Sequence, residues 1–437
     1  MGKSYNNLLS LSKVAILTAG FAIWSGVPLS AQAPQLDSAR SAIAAKNYRE
    51  AIEQLNDLRL EGGAAVEQYL LLADALLQTG AGISAEAAIE RARRLGADYA
   101  QTVVPYAKAL LIQGKYGAAL SALQGATIPS GMQRDAYIIS GDANFAQGRL
   151  DVASRDYQSA RQLDPNDFQA YLGLARLELR AGDLESARVL TEEALSCASD
   201  NTMVHYTLGL ISRYLGDTTK AEMHFVEAVK LYSANIMANI ELASLRINQN
   251  RLEEAERHLD IVYSASPNQR MALYLSGVIL ATKGQFEEAA TLLNRARPVT
   301  DQYLPAVYVR GMVAYQIGNH AIAREALEKV LATRPSNVAA RLALASTYTQ
   351  QDQPVSALRL LGPLLKAESV DVNTLMIAAT AAVKSGDATQ AEDYYAQAAE
   401  LKKQGAVGGL DGLNTRLALA QYAVGDTEKA LATLNTV

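Results

Sequence analysis

Residues 168–231 read FQAYLGLARLELRAGDLESARVLTEEALSCASDNTMVHYTLGLISRYLGDTTKAEMHFVEAVKL, and the landmarks of the first half return 34 residues later. Ala175 is answered by Gly209, Gly182 by Gly216, Asp183 by Asp217, Ala187 by Ala221 and Ala194 by Ala228. Working outward, the Ala187 column continues through Ala51, Ala85, Ala119, Ala153, Ala255, Ala289, Ala323, Ala357 and Ala391. Twelve residues before each stands alanine or glycine, and four after it a mostly bulky apolar group such as Leu55, Tyr157, Phe225 or Leu327, with Thr191 the exception. Small residues on both helices of a pair let them approach closely, and the bulky one fills the space between neighbouring pairs. Five residues before each alanine from Ala85 to Ala391 comes glycine, or Asn250 or Asp352 in its place, residue types that tolerate the left-handed backbone where a first helix stops and the chain turns. Pro165, Pro267 and Pro335 close several units.

A helix–turn–helix unit with this period, small at positions 8, 20 and 27 and large at position 24, resembles the tetratricopeptide repeat. The resemblance implies an all-α, right-handed superhelical solenoid of about twelve 34-residue repeats. Counted from the alanine at position 20, repeats 1–11 occupy 32–405. Residues 406–437 are then a loop insertion and an incomplete twelfth repeat, because Ala430 follows Ala391 by 39 residues instead of 34. Each helix, about 14 residues long, is marginal alone and draws its stability from its neighbours.

The first 31 residues stand outside the period. Lys3 and Lys13 precede an apolar run from Val14 to Trp24, followed by Ser30-Ala31-Gln32, the layout of a secretory signal peptide with cleavage after Ala31. An uncleaved anchor is the alternative, and it or a partner would be the only link to a membrane. The single cysteine, Cys197, excludes an internal disulfide and is expected to be buried and inert. A net charge of −5 without a basic stripe speaks against nucleic acid as a partner.

No nucleophile elbow, phosphate loop or dinucleotide fingerprint occurs, and His205, His224, His258 and His320 show no metal-ligand spacing. The chain therefore reads as a non-enzyme without metal or cofactor. The surface with information is the concave groove that helix A of each repeat lines in this architecture. Position 9 reads Arg40, Asp74, Lys108, Asp142 and Arg176, then loses its charge at Leu210, Ser244, Val278, Met312, Ser346 and Thr380. Position 5 supplies Tyr206, Ile240, Tyr274 and Tyr308, and position 2 supplies Met203, Met237 and Met271. Positions 2, 5 and 9 share one helix face, so these side chains form an adaptable stripe suited to a peptide or helix, and tyrosine faces also stack on sugars. Core packing at position 5 is the competing explanation of the stripe, and a cross-repeat salt-bridge ladder that of the charged end. The carboxylate clamp of chaperone-binding repeats is set aside, since position 5 is apolar and position 9 lacks asparagine. The twelfth unit breaks off at position 27 without a polar capping helix, so the expectation is either a shortened or split form of a longer array, the reading preferred here, or an end face that docks another chain.

The runs Leu95-Gly96-Ala97-Asp98, Pro105-Tyr106-Ala107-Lys108, Ser266-Pro267-Asn268-Gln269-Arg270-Met271 and Asp301-Gln302-Tyr303-Leu304-Pro305-Ala306 resemble the PrsT family of exosortase/PEP-CTERM systems. That resemblance implies an exported protein of a Gram-negative periplasm, a scaffold for envelope proteins in exopolysaccharide production or surface-protein sorting. Direct binding of the polysaccharide is the alternative. Members of that family are usually lipoproteins and about twice as long, whereas no lipobox cysteine is present here.

Overall fold

The computed structural model describes residues 36–58, 62–403 and 412–436; the 1–31 leader and the first part of the insertion, 406–411, lie outside them. The described chain is all-helical, from Asp37–Ala44 to Thr427–Leu434, and its helices fall into successive antiparallel pairs. It forms two compact units, divided between Leu242 and Ala243. No described helix is long and apolar enough to cross a membrane.

In each unit the repeat columns become the core. The position-20 alanines from Ala51 to Ala391 are all fully buried. Position 24 is wedged between its own helix A and the helix A that follows: Tyr157 packs with Ala170 and Leu174, and Leu361 with Ala378 and Ala381. Thr191, the exception, is also fully buried, and its hydroxyl is satisfied by donating to the Ala187 carbonyl at 2.7 Å. In the last described hairpin Leu419, Tyr422, Leu431 and Leu434 are exposed.

The turn column adopts the left-handed conformation throughout, and Lys46, Asn250 and Asp352 take it up without glycine, at φ 61°, 58° and 55°. For lysine this conformation costs about 1 kcal/mol or more. Lys46→Gly is therefore expected to stabilise the first hairpin by about 1 kcal/mol, read as slower hydrogen exchange across 37–57.

Regularity fails where proline or glycine intrudes on a helix B. Helix B of repeat 8 stops early, as Phe286–Arg295, and a separate turn Val299–Gln302 follows Pro298, which has no N–H to continue the ladder. Helix B of repeat 3 is only Tyr116–Leu123, ended before Gly125 at φ 72°. Cys197 is half-buried, more open than its expected place in the core.

Candidate functional site

Helix A of repeat 6 begins where Asn201 caps it, accepting from the Met203 and Val204 amides at 2.9 and 3.3 Å. The cap fixes the start of helix Thr202–Tyr214, on which Met203, Tyr206 and Leu210 lie three and four residues apart. Met203 and Leu210 are half-buried, but Tyr206 keeps only 8% of its surface and its ring packs at 6.0 Å from that of Phe225. In repeat 7, Met237 is half-buried and Ile240 is buried.

The second unit repeats the pattern. On helix Arg270–Thr282, Met271 and Val278 are half-buried while Tyr274 is 7% exposed and edge-on to Tyr303, their ring centres 5.9 Å apart. Tyr308 and Met312 of helix Leu304–Gln316 are both half-buried. Burial drives the Tyr206 and Tyr274 hydroxyls well above the usual phenol range. Tyr206, Ile240 and Tyr274 thus stand in the core and offer no open face. The surface that remains consists of Met203, Leu210 and Met237 in the first unit, and Met271, Val278, Tyr308 and Met312 in the second.

The charged end, all in the first unit, is partnered from within. Arg40 pairs with Glu67 and with Asp37 of its own helix, each at 2.5 Å. Asp74 accepts from Gln78 at 3.3 Å, and burial raises its carboxyl above the ordinary range. Burial likewise lowers Lys108, against the pull of Asp135 and Asp74. Asp142 and Arg176 meet directly across one full repeat, and Tyr157 joins them, donating to Asp142 Oδ1 at 2.7 Å and accepting from Arg176 Nη2 at 2.6 Å. The guanidinium also lies 4.9 Å from the Phe145 ring centre. One rung of a cross-repeat ladder is therefore present, with an aromatic hydroxyl in it.

Two constellations escaped sequence reasoning. Arg213 Nε faces Glu241 Oε2 at 3.4 Å, with burial raising the Glu241 carboxyl. His205 and His224 face each other at 3.3 Å between their Nδ1 atoms. Neither has a periodic signal, since neither pair of residue types recurs at the same two positions in another repeat. Among the described residues no group of three or more His, Cys, Asp or Glu side chains is placed to hold a metal ion.

With this geometry in hand, comparison with known proteins is informative. Tetratricopeptide-repeat models match residues 144–211 and 314–376, and a second such model matches 240–303. Cellulose synthase 1 operon protein C of Komagataeibacter xylinus is 25% identical over 255 residues, covering 54% of this chain and 19% of that protein. Cellulose synthase operon protein C of Pseudomonas fluorescens is 28% identical over 189 residues, 40% of this chain and 15% of that one. The chain thus matches about a fifth or less of the length of these relatives. Among solved structures, a tetratricopeptide repeat protein from Parabacteroides merdae aligns over 58% of this chain and 98% of its own, at 16% identity and a TM-score of 0.35.

Proposed function

We propose that this tetratricopeptide-repeat protein is an exported, non-catalytic scaffold that holds proteins of an envelope assembly for exopolysaccharide production or export. The observation that carries this reading is the similarity, over about half the chain, to proteins named for a cellulose synthase operon. The half-buried methionines and Leu210, Val278 and Tyr308 support protein segments as cargo, because flexible apolar side chains repack around a bound helix or peptide. The burial of Tyr206 and Tyr274 favours a protein partner over sugar stacking. The leader at 1–31 supports a periplasmic site of action, and the resemblance to the PrsT family supports sorting of PEP-CTERM proteins as the specific setting.

Photo-crosslinking in the native cell tests it. A photo-reactive residue at Met203 or Met312 is expected to yield a protein adduct that mass spectrometry identifies as an envelope protein. A glycan adduct would move the reading to polysaccharide binding. Correctly exported protein without an adduct at either position would remove this surface as the binding site. N-terminal sequencing of the purified protein is expected to begin at Gln32, and a retained Met1 would replace the free periplasmic protein with an anchored one.

A further inference from the structure

His205 and His224 stand on the two helices of the repeat-6 hairpin, Thr202–Tyr214 and Thr218–Leu231. His205 is 9% exposed and His224 is half-buried. His205 Nε2 lies 3.0 Å from the Ser199 carbonyl oxygen, in the turn that links repeats 5 and 6. A carbonyl only accepts, so Nε2 carries the hydrogen and the neutral ring presents a bare lone pair at Nδ1. The His224 Nδ1, 3.3 Å away, must then be the N–H that donates to it. The ring centres are 5.5 Å apart, close to the largest separation that a 3.3 Å nitrogen contact permits, so the two nitrogens point almost straight at each other. A metal bound by both would draw them toward a point off that line. A shared hydrogen lies on it.

We propose that His205 and His224 form an acid-sensitive latch, one hydrogen held between two imidazoles, that closes the repeat-6 hairpin and ties it to the Ser199 turn. The latch accepts one further proton, on His224 Nε2, without losing its Nδ1–H donor. A second proton has only His205 Nδ1 to go to. There it replaces the acceptor with a donor and sets two cations face to face.

The charged surroundings set the direction. Burial, then His205 and Lys220 of the same helix, hold His224 below the usual histidine range, while Glu192 from helix B of repeat 5 pulls it upward. In the unfolded hairpin neither ring faces the other, and His224 takes its proton near pH 6.5. The open state therefore binds more protons, and the stability that the latch contributes is present above about pH 6.5 and lost as the pH falls. Helix Thr202–Tyr214 also carries Met203, Tyr206 and Leu210, so acid loosens the backbone on which those side chains stand.

Hydrogen exchange of the full chain, corrected for the intrinsic pH dependence of the chemistry, tests the latch. Opening of 202–231 is expected to rise about tenfold per pH unit below about pH 6, the slope of one proton, while repeats 1–3 stay flat. His224→Gln cannot titrate, and its amide turns from N–H donor to oxygen acceptor when His205 takes a proton, so neither facing cations nor facing donors arise and the slope should vanish. His205→Gln, with an amide for Ser199, provides the same test should the first variant fail to fold. An unchanged slope in the folded variant, or acid opening spread evenly along the unit, would overturn the latch. So would wild-type protection gained on adding Zn²⁺ at neutral pH and lost in His224→Gln, which would put a metal where the hydrogen is proposed.

Discussion

Gly173→Ala is expected to destabilise repeats 4 and 5 by about 3 kcal/mol, although glycine to alanine inside an exposed helix ordinarily stabilises by about 1 kcal/mol. The sign reverses because of Tyr157. Its fully buried ring lies between Gly141 of its own helix A and Gly173 of the next. A Cβ at Gly141 would sit 2.6 Å from Tyr157 Cε1, and one at Gly173 closer still. The ring cannot retreat from one glycine without striking the other, and its hydroxyl is tied to Asp142 and Arg176. Hydrogen exchange across 133–181 reads the effect locally, which matters in an array whose repeats need not unfold together. Combining Gly173→Ala with Tyr157→Leu should recover most of the loss, since leucine fills position 24 in several other repeats, Leu55 and Leu259 among them. A Gly173→Ala protein as stable as the parent would show that the ring is not clamped.

Asp142→Ala is expected to cost about 2 kcal/mol. The carboxylate is the shared acceptor for the Tyr157 hydroxyl and the Arg176 guanidinium, and its removal leaves both without their charged partner. Fully buried pairs broken on one side lose about 3–5 kcal/mol. The Arg176 side chain keeps 32% of its exposure, so water recovers part of that here, and the smaller figure applies. Replacing both charges together with the hydroxyl they share, as Asp142→Leu and Arg176→Leu with Tyr157→Phe, should be much closer to neutral, because no buried ion or hydroxyl is left without a partner. A double-mutant cycle measures the coupling, and additive losses would mean that the pair acts as two independent surface charges.

Much of the architecture was legible in the chain. A 34-residue period requires every unit to pack in the same way, so alanine at position 20 and the turn residue five places earlier recur for one steric reason in each repeat. Even Lys46 adopts the turn backbone, because its neighbours impose it. The candidate surface was legible only in part. Positions 2, 5 and 9 do share a helix face, yet in repeats 6, 7 and 8 position 5 sinks between successive helices, and this takes Tyr206, Ile240 and Tyr274 into the core while Met203, Tyr308 and Met312 stay partly open.

The sequence by itself thus determined the repeat unit, its helices and turns, and the column that packs, since these depend on spacings of a few residues enforced again and again. Tertiary structure alone decided what happens between columns, where each contact occurs once and leaves no period to read. Gly173 beneath Tyr157, Asp142 joined to Arg176 through a phenol, and His205 against His224 come from side chains on neighbouring helices whose facing is set by packing. Their energies depend on burial and on the partner across the gap, neither of which a linear spacing encodes.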